Sequence, residues 1–73
     1  MISFVLGYCY EVTIDGRVHR FQFVGQRDAR GSLGVFEGST TEQPLEPIFH
    51  PPWETIGIRR IHCSQISMKE PIG

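Results

Sequence analysis

The side chains in this 73-residue sequence that could ligate a metal are Cys9, Cys63, His19, His50 and His62. Structural zinc takes four Cys or His ligands, commonly in closely spaced pairs such as Cys-x-x-Cys. No such pair occurs here. His62 and Cys63 are adjacent, and adjacent residues on a strand point to opposite faces. No metal and no cofactor is expected. A cysteine nucleophile would need a histidine base and an orienting acid. A serine nucleophile would need a Gly-x-Ser-x-Gly turn, and the nearest fragments, Gly31-Ser32-Leu33-Gly34 and Gly38-Ser39-Thr40, do not match it. The glycine-rich stretch from Gly25 to Gly34 carries no phosphate-binding lysine. Domains this small rarely enclose a substrate pocket. The sequence therefore reads as non-enzymatic, with no catalytic residues.

The arginines offer a different chemistry. Six of the seven cations are arginine, and Lys69 is the only lysine. Arginine suits planar, bidentate or stacked contacts rather than diffuse attraction. Arg17, Arg20, Arg27 and Arg30 lie in one stretch against Asp28 alone, and Arg59 with Arg60 could join them in space. Arginines beside exposed aromatic rings can hold single-stranded nucleic acid. The second candidate surface is Pro44-Leu-Glu-Pro47-Ile-Phe-His-Pro51-Pro52-Trp53, which joins rigid backbone to large apolar groups. Phe49 and Trp53 either complete a core that the strands cannot fill or project as an interface hot spot.

These residues must be positioned by strands. Ile2, Phe4, Leu6, Tyr8, Tyr10, Val12 and Ile14 occupy every second position, the period of a strand with one buried face. Asp15-Gly16 then supplies a two-residue hairpin turn, and a second strand runs from Arg17 to Val24. Closing Ile14 on Arg17 puts Val12 opposite His19, Tyr10 opposite Phe21 and Tyr8 opposite Phe23. On the other face, expected to meet solvent, Thr13 meets Val18, Glu11 meets Arg20 and Cys9 meets Gln22. Gly7 predicts a bulge or bend in the first strand. Gly25 to Gly34 reads as a polar connection, followed by a short strand from Leu33 to Glu37. Four prolines exclude regular structure across Gly38 to Thr55, which predicts a long ordered loop with one helical turn after Pro52. Ile56 to Ile66 is strand-rich, with a change of parity that predicts a bulge or break at Arg59-Arg60. Ser67 to Gly73 reads as a loose tail or last edge strand.

The length allows one domain, residues 1–73, and a chain this short buries only roughly 60% of its unfolded surface. The net charge is −1 and the pI about 6.3, against a strong electrostatic grip on nucleic acid. The charge is uneven, because Glu37, Glu42, Glu46 and Glu54 lie in a segment without Lys or Arg. The run Ile2 to Leu6 is too short, and lacks the preceding basic residue, for a secretory signal. No stretch approaches a membrane span. Two cysteines are too few for a secreted disulfide scaffold. A cytoplasmic protein with two free, unbridged thiols is expected.

The bent first strand, the Asp15-Gly16 hairpin and the late Ile-rich strand together look like an all-β, five-stranded barrel of the SH3-like or Sm-like type, with the Pro-rich loop added. The resemblance covers architecture only. It implies a binding module, since such barrels bind peptides, nucleic acids or other proteins. The expected partner is a protein or a second copy of the chain. In the latter case a homodimer or higher oligomer forms through an edge strand, the first strand from Ile2 to Tyr10 being one candidate, or through the Trp53 loop. Nucleic acid, held by the arginines, is the alternative.

Overall fold

The computed structural model describes residues 4–27, 31–45 and 57–70. They form five antiparallel strands: β1 (Cys9–Ile14), β2 (Arg17–Arg27), β3 (Gly31–Phe36), β4 (Glu42–Pro44) and β5 (Ile58–Ile61). A single turn of 3-10 helix, Cys63–Ile66, follows. The strand order is β4-β3-β2-β1-β5, so β4 and β5 are opposite edges of an open sheet.

The β1–β2 hairpin has the register that the turn and the alternation predict, from Ile14↔Arg17 through Tyr10↔Phe21 to Cys9↔Gln22. Asp15 and Gly16 both take positive φ, 51° and 77°, as a type I′ turn requires. Beyond β1 the Phe23 N–H donates to the Tyr8 carbonyl at 3.0 Å.

The first strand is shorter than the alternation suggests. Gly7, at φ 85°, turns the chain, and the Tyr8 N–H closes that turn on the Val5 carbonyl at 3.0 Å. Leu6 is thereby left 63% exposed. Phe4 nevertheless folds back onto the sheet, with its ring centroid 5.1 Å from Tyr10 and 5.5 Å from Phe21. The polar stretch Gly25 to Gly34 is not simply a connection. β2 continues to Arg27 and β3 begins at Gly31, with a register shift between Phe23 and Gly25 that absorbs one residue. The Pro-rich region contributes β4, whose last residue is Pro44. Proline lacks an N–H and is tolerated at such an edge. Phe49, Trp53 and the helical turn expected after Pro52 lie outside the described residues.

One face of the sheet carries the aromatic core of Tyr10, Val12, Phe21, Phe23 and Leu45, with Phe4, Phe36 and Ile58 against it. The second face, expected to be solvated throughout, is solvated along the row of Glu37, Arg20, Glu11 and Arg59 but buried at one end. That end is covered by Cys9, Ile61, Cys63 and Ile66, with Met68 packed on them. This explains the parity change in the Ile-rich segment without a bulge at Arg59-Arg60. β5 runs unbroken from Ile58 to Ile61, with Ile58 serving one core and Ile61 the other. The break comes at His62, where the 3-10 turn starts. Its first backbone N–H groups lack partners within the turn, and the His62 N–H is met by Gln65 Oε1 at 3.0 Å. The expected loose tail is anchored as far as residue 69 by Met68 and by the Lys69 carbonyl, which accepts from Gln22 Nε2 at 2.9 Å.

The expectation of two free thiols is overturned. Cys9 and Cys63 form a disulfide, with their Cα atoms 5.2 Å apart. The cause is topological. Pairing of β5 beside β1 sets Ile61 opposite Cys9, and the 3-10 turn brings Cys63 back over the same spot. Neighbouring Gln22 also donates from Nε2 to the Gly7 carbonyl at 2.8 Å, so its amide ties β2 to chain segments on both sides of the bridge.

Candidate functional site

Three strands and the turn after β3 place four charges in one row on the same face as the disulfide. Cross-strand register sets Glu11 between Arg20 on β2 and Arg59 on β5. The Glu37 N–H donates to the Arg20 carbonyl at 2.8 Å, which brings Glu37 to the far side of Arg20. The side chains complete the row. Arg20 Nε donates to Glu11 Oε2 at 2.8 Å, and Arg59 Nε donates to Glu11 Oε1 at 2.9 Å. Arg20 also approaches Glu37 Oε1 at 3.5 Å. Charge thus alternates as Glu37, Arg20, Glu11, Arg59, and both oxygens of Glu11 are engaged.

This geometry sets the electrostatics. The hydrogen bond from Arg59, then that from Arg20, holds the Glu11 carboxyl below the usual carboxylate range. The Glu11 hydrogen bond in turn raises Arg20 further into its charged form. A carboxylate with a depressed folded-state pKa contributes stability above its unfolded pKa and loses it as the pH falls toward the folded value. Unfolding midpoints in urea should therefore fall as the pH is lowered from neutrality to about 3. Glu11→Gln should be less stable at neutral pH and should flatten that part of the profile. A wild-type profile that Glu11→Gln leaves unchanged in shape would reject this assignment.

The arginines singled out by sequence do not gather into one patch among the described residues. Arg20 and Arg59 converge, but on the intervening carboxylate of Glu11. Arg60 is on the opposite face, its guanidinium carbon 3.8 Å from the Tyr8 ring centroid. Arg17 is exposed at the hairpin turn. Arg27 ends β2, paired with Gly31, and Arg30 lies outside the described residues. Neither Glu11 nor Tyr8 was marked as a site residue by sequence. The cross-strand pairing of Glu11 with Arg20 was legible, but the Arg59 contact depends on a strand that joins from 48 residues away.

Two open grooves flank this row. One, of about 350 Å³, lies where β2 outruns β3 and is lined by Val18, His19, Arg20, Phe36, Glu37 and Gln43. The other, of about 430 Å³, runs along β5 and its exit and is lined by Arg59, Arg60, Ile61, His62 and Gln65. The row of charges therefore has an acidic end at the first groove and a basic end at the second. Among the described residues no three His, Cys, Asp or Glu side chains stand close enough to share a metal ion. No helix among them is long and apolar enough to cross a membrane. No protein-family model, curated protein or solved structure matches the chain.

Proposed function

We propose that the chain is a non-enzymatic binding module for a partner protein, and that it works through the β5 side of its sheet. The observation that carries this reading is a sheet edge, open among the described residues, beside a basic groove on a strand anchored by both cores. A strand held on both faces is a rigid element, and rigid elements present binding groups at little ordering cost. The SH3-like or Sm-like barrel expected from the sequence lends no support, because the five strands form an open sheet and not a closed barrel.

Nucleic acid ranks below protein as the partner. Binding along a phosphate backbone draws on clustered cations, whereas Arg20 lies between the carboxylates of Glu11 and Glu37 and the described arginines form no single patch. The cytoplasmic location expected from free thiols loses its support with the disulfide. Disulfides persist in oxidising compartments, and that is where we place the oxidised module.

The test is affinity capture from extracts of the native host, using the oxidised chain and an Arg60→Pro variant. Proline on an edge strand removes an N–H that another chain would need. A protein captured by the first and lost by the second is the expected result. Recovery of nucleic acid alone, or capture indifferent to Arg60→Pro, would overturn the reading.

A further inference from the structure

Resting on the reading of the chain as a protein-binding module, we propose that the outer edge of β5, which no other strand among the described residues pairs with, takes up an extended, acidic segment of the partner. In that complex a partner carboxylate continues the row Glu37, Arg20, Glu11, Arg59. The backbone and the side chains of β5 point to this occupant independently.

The backbone argument starts at the hairpin. Antiparallel ladders alternate between pairs that exchange hydrogen bonds and pairs that do not. A two-residue turn makes the closing pair, Ile14 with Arg17, a bonded one. Val12 and Tyr10 then direct their backbone groups to β2, while Glu11 and Cys9 direct theirs to β5. The register Glu11↔Arg59 and Cys9↔Ile61 follows on the next strand. Arg59 and Ile61 face β1, and the N–H and C=O groups of Ile58 and Arg60 face outward. An extended peptide can add to such an edge through main-chain hydrogen bonds, with alternate side chains giving specificity.

The side chains select the charge. Arg59 gives its Nε to Glu11 but remains 70% exposed at the rim of the sheet. A guanidinium has five N–H donors in a fork that matches a carboxylate. Arg60 is held over the Tyr8 ring, its guanidinium carbon 3.8 Å from the centroid, a contact that orients its charge without neutralising it. His62 and Gln65 extend the groove with polar groups. An incoming strand therefore meets an arginine on each face, and opposite charges across a strand pair are favourable.

A second copy fits this edge poorly. With Ile58 and Arg60 as the outward residues, a two-fold pairing of β5 sets either Arg59 on Arg59 or Arg60 on Arg60 in the registers that use the whole strand. Like charges directly opposite are destabilising. The other edge, β4, has three residues and ends in Pro44, which weakens it as a pairing strand.

The test uses three labelled seven-residue peptides that alternate valine with glutamate, glutamine or lysine, titrated into the oxidised chain with isotope-labelled backbone amides. The glutamate peptide should bind and shift the amides of Ile58 and Arg60. The glutamine peptide should bind about fivefold more weakly, the loss of one favourable cross-strand charge pair, and the lysine peptide more weakly still. Arg59→Glu should weaken the glutamate peptide most, and Arg59→Gln, which sets no new charge beside Glu11, should narrow the distinction to the share that Arg60 supplies. Equal binding of all three peptides at β5 would overturn the acidic occupant and leave the module reading standing. No shift at β5 with any peptide would overturn the proposal, while host-protein capture lost in Arg60→Pro would still uphold the module. Self-association through β5 in sedimentation equilibrium would overturn it in favour of a second copy.

Discussion

Removing the Cys9–Cys63 bridge should lower the free energy of unfolding by about 4 kcal/mol, the loop-closure value for cysteines of this spacing. They are 54 residues apart in a chain of 73, so the bridge restricts most of the unfolded chain. For a domain of this size the loss corresponds to a fall in Tm of roughly 20 °C. Both sulfurs belong to residues with almost no exposed surface, 0% for Cys9 and 1% for Cys63. Ile66 and Met68 follow Cys63 directly, so loss of the bridge also loosens their cover over the sheet. The comparison is a thermal melt of the oxidised protein against the reduced protein and against the Cys9→Ala/Cys63→Ala double variant. Thiol counting under denaturing, non-reducing conditions should find no free thiol. Two free thiols per chain, or superimposable melts, would remove the bridge from the account of stability.

On the opposite face, Leu45→Ala should cost about 2–5 kcal/mol, the range for emptying a filled core site. Gly34→Ala should cost about 1–3 kcal/mol for the opposite reason, overpacking. Leu45 is 1% exposed and Phe21 fully buried. A methyl group added at Gly34 would lie 2.8 Å from Leu45 Cδ2, 3.2 Å from Phe21 Cδ2 and 3.3 Å from the Gln22 carbonyl oxygen. Leu45 and Phe21 are walled in, so neither can swing aside freely. The two substitutions must therefore couple. Leu45→Ala removes the atom that the new methyl meets, and the methyl fills part of the space left behind. The double variant should be more stable than the sum of the single losses implies, by about 1 kcal/mol or more. Denaturant unfolding of the four proteins measures this, and strict additivity would show that the Gly34–Leu45 approach does not limit packing.

Local chemistry determined the first hairpin completely. Asp15-Gly16 favours positive φ at two successive residues, the alternation from Tyr8 to Ile14 chooses a face, and together they fix the partner of every residue in β1 on β2. Those signals lie within a few residues of each other, so they survive in sequence alone. The all-β class and the pairing of Glu11 with Arg20 follow from the same signals. What the sequence could not decide is what lies on the far side of β1. β5 arrives from almost fifty residues away and joins β1 as its second neighbour. That one long-range pairing places β1 inside the sheet rather than at its edge. It sets Arg59 against Glu11, makes one end of the second face an interior, and brings Cys63 to Cys9. The polar look of Cys9, Glu11, Arg20 and Gln22 suggested water because alternation reports which residues share a face, not what covers it. Only the tertiary structure supplies the cover, because the free energy that places it comes from burying Ile61, Cys63 and Ile66 against residues far from them in the chain.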